Sequence, residues 1–295
     1  MTNFSPNNQP HLPPELERAI FELAAIARPI CIPSLMLVAR RTKEWLEPLL
    51  YRVIFVSESI IDDMHGFPSI PLDILLATIA KKPTSFFQSS GTRIFLENPP
   101  GMEPALWVRA MDTIFTACQG VGQLSIVSSH ISHRGSLDGL HSLRRLTMHV
   151  APLFAPFAID FSSPIFRHLT HLEFLDALDV FPPDVDIGAH LALVPALTHI
   201  SFHVFKHPLR AFHGRIRTSP HIQCIVCFVP RQLVEIPEQP DARLVCMDLA
   251  DWQTDWLRGA AFGEDYWELA EIFIAAKHGG EVYEAQYFIE EWWRL

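Results

Sequence analysis

One spacing recurs along the chain: an apolar residue, two variable positions, an apolar residue, one variable position, an apolar residue. Copies stand at Val121-Leu124-Ile126, Leu143-Leu146-Met148, Leu169-Leu172-Phe174, Leu197-Ile200-Phe202, Ile222-Ile225-Cys227 and Leu244-Met247-Leu249. Their central residues lie 22, 26, 28, 25 and 22 residues apart. Looser copies precede them at Leu50-Val53-Phe55 and Gly91-Ile94-Leu96. Side chains alternate along a strand, so the last two apolar residues of each copy point to one side and the first plugs the turn before it. One such unit cannot bury its apolar side, whereas stacked units share a continuous core. The spacing therefore predicts an α/β chain built on a parallel sheet.

The period resembles that of leucine-rich repeats, which recur every ~20–29 residues. A doubly wound α/β sheet is the rival. Segments 71–82 (PLDILLATIAKK) and 103–118 (EPALWVRAMDTIFTAC) read as returning helices, while APLFAPFAIDFSSP is too proline-rich for a long one. The Asn or Cys that follows the strand in such repeats is missing here. The expectation is thus an irregular leucine-rich-repeat-like solenoid over 53–262, closed by a C-terminal helical cap over 263–295. Within GEDYWELAEIFIAAKHGG at 263–280, Glu264 and Asp265 open a helix, Lys277 and His278 end it, and Gly279 supplies the left-handed stop. Trp267, Ala270, Phe273 and Ile274 form its apolar face. Trp252, Trp256, Trp292 and Trp293 are expected to fill the cap's core rather than an exposed binding surface.

The N-terminus reads differently. Residues 1–11 are a polar, proline-containing lead-in, expected to be disordered. Pro13 and Pro14 suit a first helical turn, and Glu15 and Glu17 suit the positive end of its dipole. Leu16, Ile20 and Leu23 form one apolar stripe of this helix, while Phe21 and Ala24 lie on a second side. Pro29 ends it. A second helix from Pro33 carries Leu35, Val38, Thr42, Trp45 and Leu49, with a break or kink expected at Pro48. So small a unit has more apolar surface than it can bury alone.

The segment from Leu12 to Tyr51 carries LPPEL at 12–16, then Ile20-Phe21-Glu22-Leu23, LMLVARR at 35–41, and Trp45 followed by LLYR at 49–52. In this order it resembles an F-box, in particular the F-box-like variant abundant in mushroom-forming fungi. The resemblance implies a helical module over 12–52 that docks on the Skp-type adaptor of a cullin–RING ubiquitin ligase. Leu12, Pro13, Leu16, Ile20, Leu35, Val38 and Trp45 match the family's apolar contact positions.

Charge and motifs narrow the function further. A formal charge of −10, with no Lys or Arg run to offset it, argues against nucleic-acid and acidic-membrane partners. The cysteines Cys31, Cys118, Cys224, Cys227 and Cys246 are odd in number and scattered, unlike a disulfide framework. No signal-peptide pattern and no apolar run of ~20 residues is present, so a cytoplasmic or nuclear location is expected. Nucleophile-elbow, phosphate-loop, dinucleotide and His-Glu-x-x-His signatures are missing. The expectation is no catalytic residue, no cofactor and no metal. In CIVC at 224–227 the two thiols point to opposite faces of a strand. Aligning the copies puts Arg145, His171, His199, Cys224 and Cys246 in one row. Four ligands in a line span ~14 Å, too long for one zinc, although two neighbours could share an ion.

The function expected from these features is that of a substrate receptor. Its concave face, with Arg93, Glu97, Arg145, Thr147, His149, His171, Glu173, His199 and His203, would hold a protein client. The alternative is a non-catalytic repeat scaffold without a ligase link, whose first helices would bury their apolar faces. An enzyme would instead show a pocket with converging titratable groups.

Overall fold

The computed structural model describes residues 12–57, 66–128, 137–149, 161–176, 187–203, 213–214, 216–217, 219–234, 239–248 and 251–289. Its frame is one parallel sheet of β1 (Val53–Val56), β2 (Arg93–Glu97), β3 (Gln123–Val127), β4 (Arg145–Met148), β5 (His171–Phe174), β6 (His199–His203), β7 (Cys224–Phe228) and β8 (Leu244–Met247). The eight strands lie in chain order, each paired with the next. Ile94, Leu124, Leu146, Leu172, Ile200 and Ile225 are register partners from β2 to β7. On this first face they meet Leu96, Ile126, Met148, Phe174, Phe202 and Cys227 in one continuous core.

The two end strands correct the spacing. Ile54, not Val53, pairs with Ile94, so the first copy is Tyr51-Ile54-Val56 and Val53 and Phe55 point to the other face. Leu244, not Met247, pairs with Ile225; Leu249 lies outside the described residues. Every residue of β1 and of β8 is buried. A strand buried on both faces reads as a uniform apolar run, so apolar spacing alone cannot fix its phase.

Three helices cover the first face near β1–β3: α4 (Leu72–Lys81), α5 (Thr84–Ser90) and α6 (Pro104–Ala117). They contribute Leu75, Phe87, Trp107, Met111 and Ile114 to its core. Residues 151–160 of the proline-rich return lie outside the described residues, and a 3-10 turn follows at Pro164–Phe166. A short helix, α7 (Ile187–Leu191), precedes β6.

The second face is covered by α8 (Trp252–Phe262) and α9 (Tyr266–Gly279). Asp265 caps α9 by accepting the Trp267 and Glu268 N–H groups, and Gly280, at φ 76°, takes the left-handed position expected of Gly279. The expected cap over the end of the stack is thereby corrected: both helices lie on the sheet's face. The cause is apolar surface at both ends of that face. Val53, Phe55 and Phe95 pack against Trp256, Leu257 and Ala260 of α8. Val226, Phe228, Val245 and Met247 pack against Tyr266, Trp267, Leu269, Ala270, Phe273 and Ile274 of α9. The Trp252 ring lies 5.5 Å from that of Phe95, tilted by 36°; Trp292 and Trp293 lie outside the described residues. Beyond α9 the chain runs beside β8, where Cys246 N–H donates to Tyr287 O and Ile289 N–H to Cys246 O. That contact occupies the free edge of the last strand.

At the other end stand α1 (Pro14–Ala27), α2 (Ile32–Met36) and α3 (Arg40–Leu50). Ala25, Ile32 and Leu46 form their core, with Phe21 and Leu35 packed against it. The single helix expected from Pro33 is two. It breaks at Leu37–Ala39, where Ala39 is extended and Thr42 Oγ1 both accepts the Ala39 N–H and donates to Ala39 O. Pro48 lies inside α3 and does not end it. The lead-in 1–11 lies outside the described residues. No helix among the described residues is long and apolar enough to cross a membrane.

Candidate functional site

Two surfaces bear on function. The first is the outer side of the N-terminal helices. Phe21 and Ala25 of α1 turn inward, which leaves Leu16, Ile20 and Leu23 on the opposite side. Leu12, Leu16, Ile20, Leu23, Leu37 and Val38 are between 53% and 87% exposed. Of the seven expected contact residues, Leu12, Pro13, Leu16, Ile20 and Val38 are exposed, whereas Leu35 and Trp45 are half-buried. The Arg41 guanidinium donates to Glu17 Oε1 at 2.6 Å, fixing α3 against α1.

The second region is the middle of the covered sheet face. Between its two apolar ends, β3–β6 present polar side chains. Arg145, His171 and His199 are register partners, followed by Cys224. Cys246 does not continue this row; it faces Cys227 in the first-face core. The expected open client surface is also corrected. Thr147, Glu173 and His199 are buried, and Arg93, Glu97, Arg145, His149, His171 and His203 are half-buried. The apolar flanks of the row bind α8 and α9, and the helices close over it.

The junction of these helices with the sheet lines a narrow, partly open cleft between Arg145, Thr147, Glu173, Asp255, Asp265 and Tyr266. Arg145 pairs with Asp265, the α9 cap. Thr147 Oγ1 donates to Glu173 Oε2 at 2.9 Å. The other oxygen of Glu173 has no hydrogen bond among the described residues and faces His203 Nε2 at 3.5 Å. Tyr266 OH and Ser201 Oγ are 2.9 Å apart, and Tyr266 N–H donates to Asp255 Oδ2 at 3.2 Å. Burial pushes the Asp255 carboxyl up to about 8, with Asp265 and Glu173 adding to the shift and the Tyr266 N–H and Arg258 opposing it. Burial also raises Asp265, against the pull of Arg145. At the ends of β1 and β2, Ser57 Oγ donates to Glu97 Oε2 at 2.6 Å, and past β4 and β5 His149 Nδ1 lies 3.5 Å from Asp176.

His171 and His199 stack with centroids 4.1 Å apart and planes at 11°. Both meet Trp267 edge-on. His199 Nε2 lies 2.9 Å from Glu271 Oε1 on α9. Burial, reinforced by His199 and Arg145, lowers His171 to about 2. Asp255, Asp265, Tyr266 and Glu271 all come from the C-terminal helices. Their meeting with the row was not readable from a chain segment expected to cap the end of the sheet. The signal lay in the apolar second-face residues Phe55, Phe95, Val226 and Phe228, which require cover.

No protein-family model, curated protein or solved structure matches this chain.

Proposed function

We propose that the chain is a substrate-receptor subunit of a cullin–RING ubiquitin ligase, with residues 12–52 acting as an F-box-like module for a Skp-type adaptor. The observation that carries this reading is the apolar side of the first helices. Leu12, Leu16, Ile20, Leu37 and Val38 face outward, although Phe21, Ala25, Ile32 and Leu46 already give the module an internal core. A scaffold cap would turn such residues inward; so many exposed apolar side chains on one small module suit a protein interface.

Residues 53–262 form, on this reading, an irregular leucine-rich-repeat-like solenoid. The chain-ordered parallel strands and the in-register Leu and Ile rungs favour it over a doubly wound sheet. The client is a protein held by a surface other than the row beneath α8 and α9. The mechanism is proximity: the receptor raises the client's effective concentration near a ubiquitin-loaded enzyme and performs no bond chemistry itself. The polar groups of the cleft fit that role, since Asp265 caps a helix and pairs with Arg145, and Tyr266 bonds Ser201. A ligase subunit of this kind works in the cytoplasm or nucleus.

The test is calorimetric titration of the purified chain with a Skp-type adaptor, using Leu16→Asp and Ile20→Asp. Micromolar or tighter binding is expected, lost in both variants while circular dichroism stays unchanged. Absence of binding by the folded chain, or binding that both variants retain, overturns the proposal.

A further inference from the structure

The sequence Leu-Thr-His followed by an apolar residue stands at 169–172 and again at 197–200, on adjacent strands. Thr170 Oγ1 donates to Arg144 O at 3.0 Å, and Thr198 Oγ1 donates to Thr170 O at 3.3 Å. A hydroxyl carries one proton, and where the carbonyl takes it the hydroxyl meets the ring as an acceptor. In that arrangement the contacts of the same hydroxyls with His171 Nδ1 at 2.9 Å and His199 Nδ1 at 2.8 Å take their hydrogen from the ring. That tautomer leaves each imidazole a lone pair at Nε2.

Glu271 meets this pair from α9. Its carboxylate oxygen lies 2.9 Å from His199 Nε2, a separation that a shared proton or a shared metal ion can bridge. One donor atom from each of His171, His199 and Glu271 lies within 4.8 Å of the others. We propose that His171, His199 and Glu271 form a binding site for a divalent transition-metal ion, of which Zn²⁺ best suits two imidazoles and a carboxylate, with water as fourth ligand.

Bonds of ~2.0–2.2 Å place tetrahedral donors about 3.4 Å apart. Glu271, whose side chain is 57% exposed, is free to swing inward, and the near-parallel rings turn toward each other. The threonine hydroxyls are the outer partners that orient ligating histidines. Arg145, the nearby cation, is already paired with Asp265. The ion ties β5 and β6 to α9, so its role is to hold the helix on the sheet. This inference does not depend on the adaptor reading.

The experiment uses the full chain, stripped with chelator and titrated with Co²⁺ and then Zn²⁺. Visible d–d absorption reports Co²⁺ coordination, and a colorimetric chelator competes for Zn²⁺. One ion per chain is expected, with the Co²⁺ band lost in His171→Ala. Glu271→Gln, an exposed position, should keep the far-ultraviolet spectrum while weakening Zn²⁺ binding about tenfold or more. Thr170→Val should weaken it about tenfold through loss of ring orientation. Zn²⁺ at a hundredfold excess over Kd should raise the thermal midpoint by about 5 °C. Lack of 1:1 binding, or binding that is the same in His171→Ala and Glu271→Gln, overturns the proposal; the latter would mark an ordinary His–Glu ion pair, with the metal held by other histidines.

Discussion

Asp255 keeps its proton to about pH 8 in the folded chain, against an ordinary value of 3.8. Between those values the folded state holds a proton that the unfolded state has released, so stability falls as pH rises through that window. Asp255→Asn keeps an acceptor for the Tyr266 N–H and removes the ionisation. Its stabilising effect should be larger at pH 8 than at pH 5 by about 2 kcal/mol, within a ceiling of ~1.4 kcal/mol per pH unit. Urea unfolding at the two pH values measures this, and an equal gain at both would show that another group titrates. Gly259 is constrained for a different reason. A Cβ there would stand 2.5 Å from Asp265 Cβ, so Gly259→Ala should cost about 1–3 kcal/mol by overpacking the helix junction. In the sequence both residues look like ordinary helix positions. Their meaning comes from the close approach of α8 to Asp265, which no local pattern encodes.

Among the elements, the outer side of α1 was legible in Leu16, Ile20 and Leu23; its inner side was read only in part, since Phe21 packs on the core but Ala25, not the expected Ala24, is the buried alanine. The faces should respond oppositely to charge. Leu16→Asp should change stability by no more than ~0.5 kcal/mol, whereas Phe21→Asp sets a carboxylate against the Ala25–Ile32–Leu46 core and should melt the three-helix unit. Limited proteolysis between residues 12 and 52 distinguishes the two. Strands β2–β6 were equally readable, since polar residues such as Arg93, Gln123, Arg145, Glu173 and His199 alternate with the apolar rungs. The runs VIFV in β1 and LVCM in β8 carry no such alternation, and there the phase was misplaced. The break at Leu37–Ala39 carries neither proline nor glycine, whereas Pro48 does carry the helix-breaking signal. It sits in the last turn of α3, where little of the helix remains to be disrupted.

At the scale of the whole molecule, the decisive feature is that α8 and α9 lie on the second face. Trp256 is buried against Phe95 with ring centroids 5.3 Å apart. Trp256→Ala should lower stability by about 3–5 kcal/mol, a loss that a detachable end cap would not impose on the sheet; denaturant unfolding followed in the near ultraviolet measures it. The Arg52 guanidinium also donates to Ala261 O at 3.0 Å, joining the start of the sheet to the end of α8. The helix pair is thus keyed to β1 and β2 at one extreme and to β7 and β8 at the other. A chain of stacked units normally tolerates duplication or loss of a unit, because each touches only its neighbours. Here an added strand would push the two anchor points about 4.8 Å farther apart. The helices then act as a ruler, and lineages descended from this chain should vary in loop length while keeping the number of strands fixed.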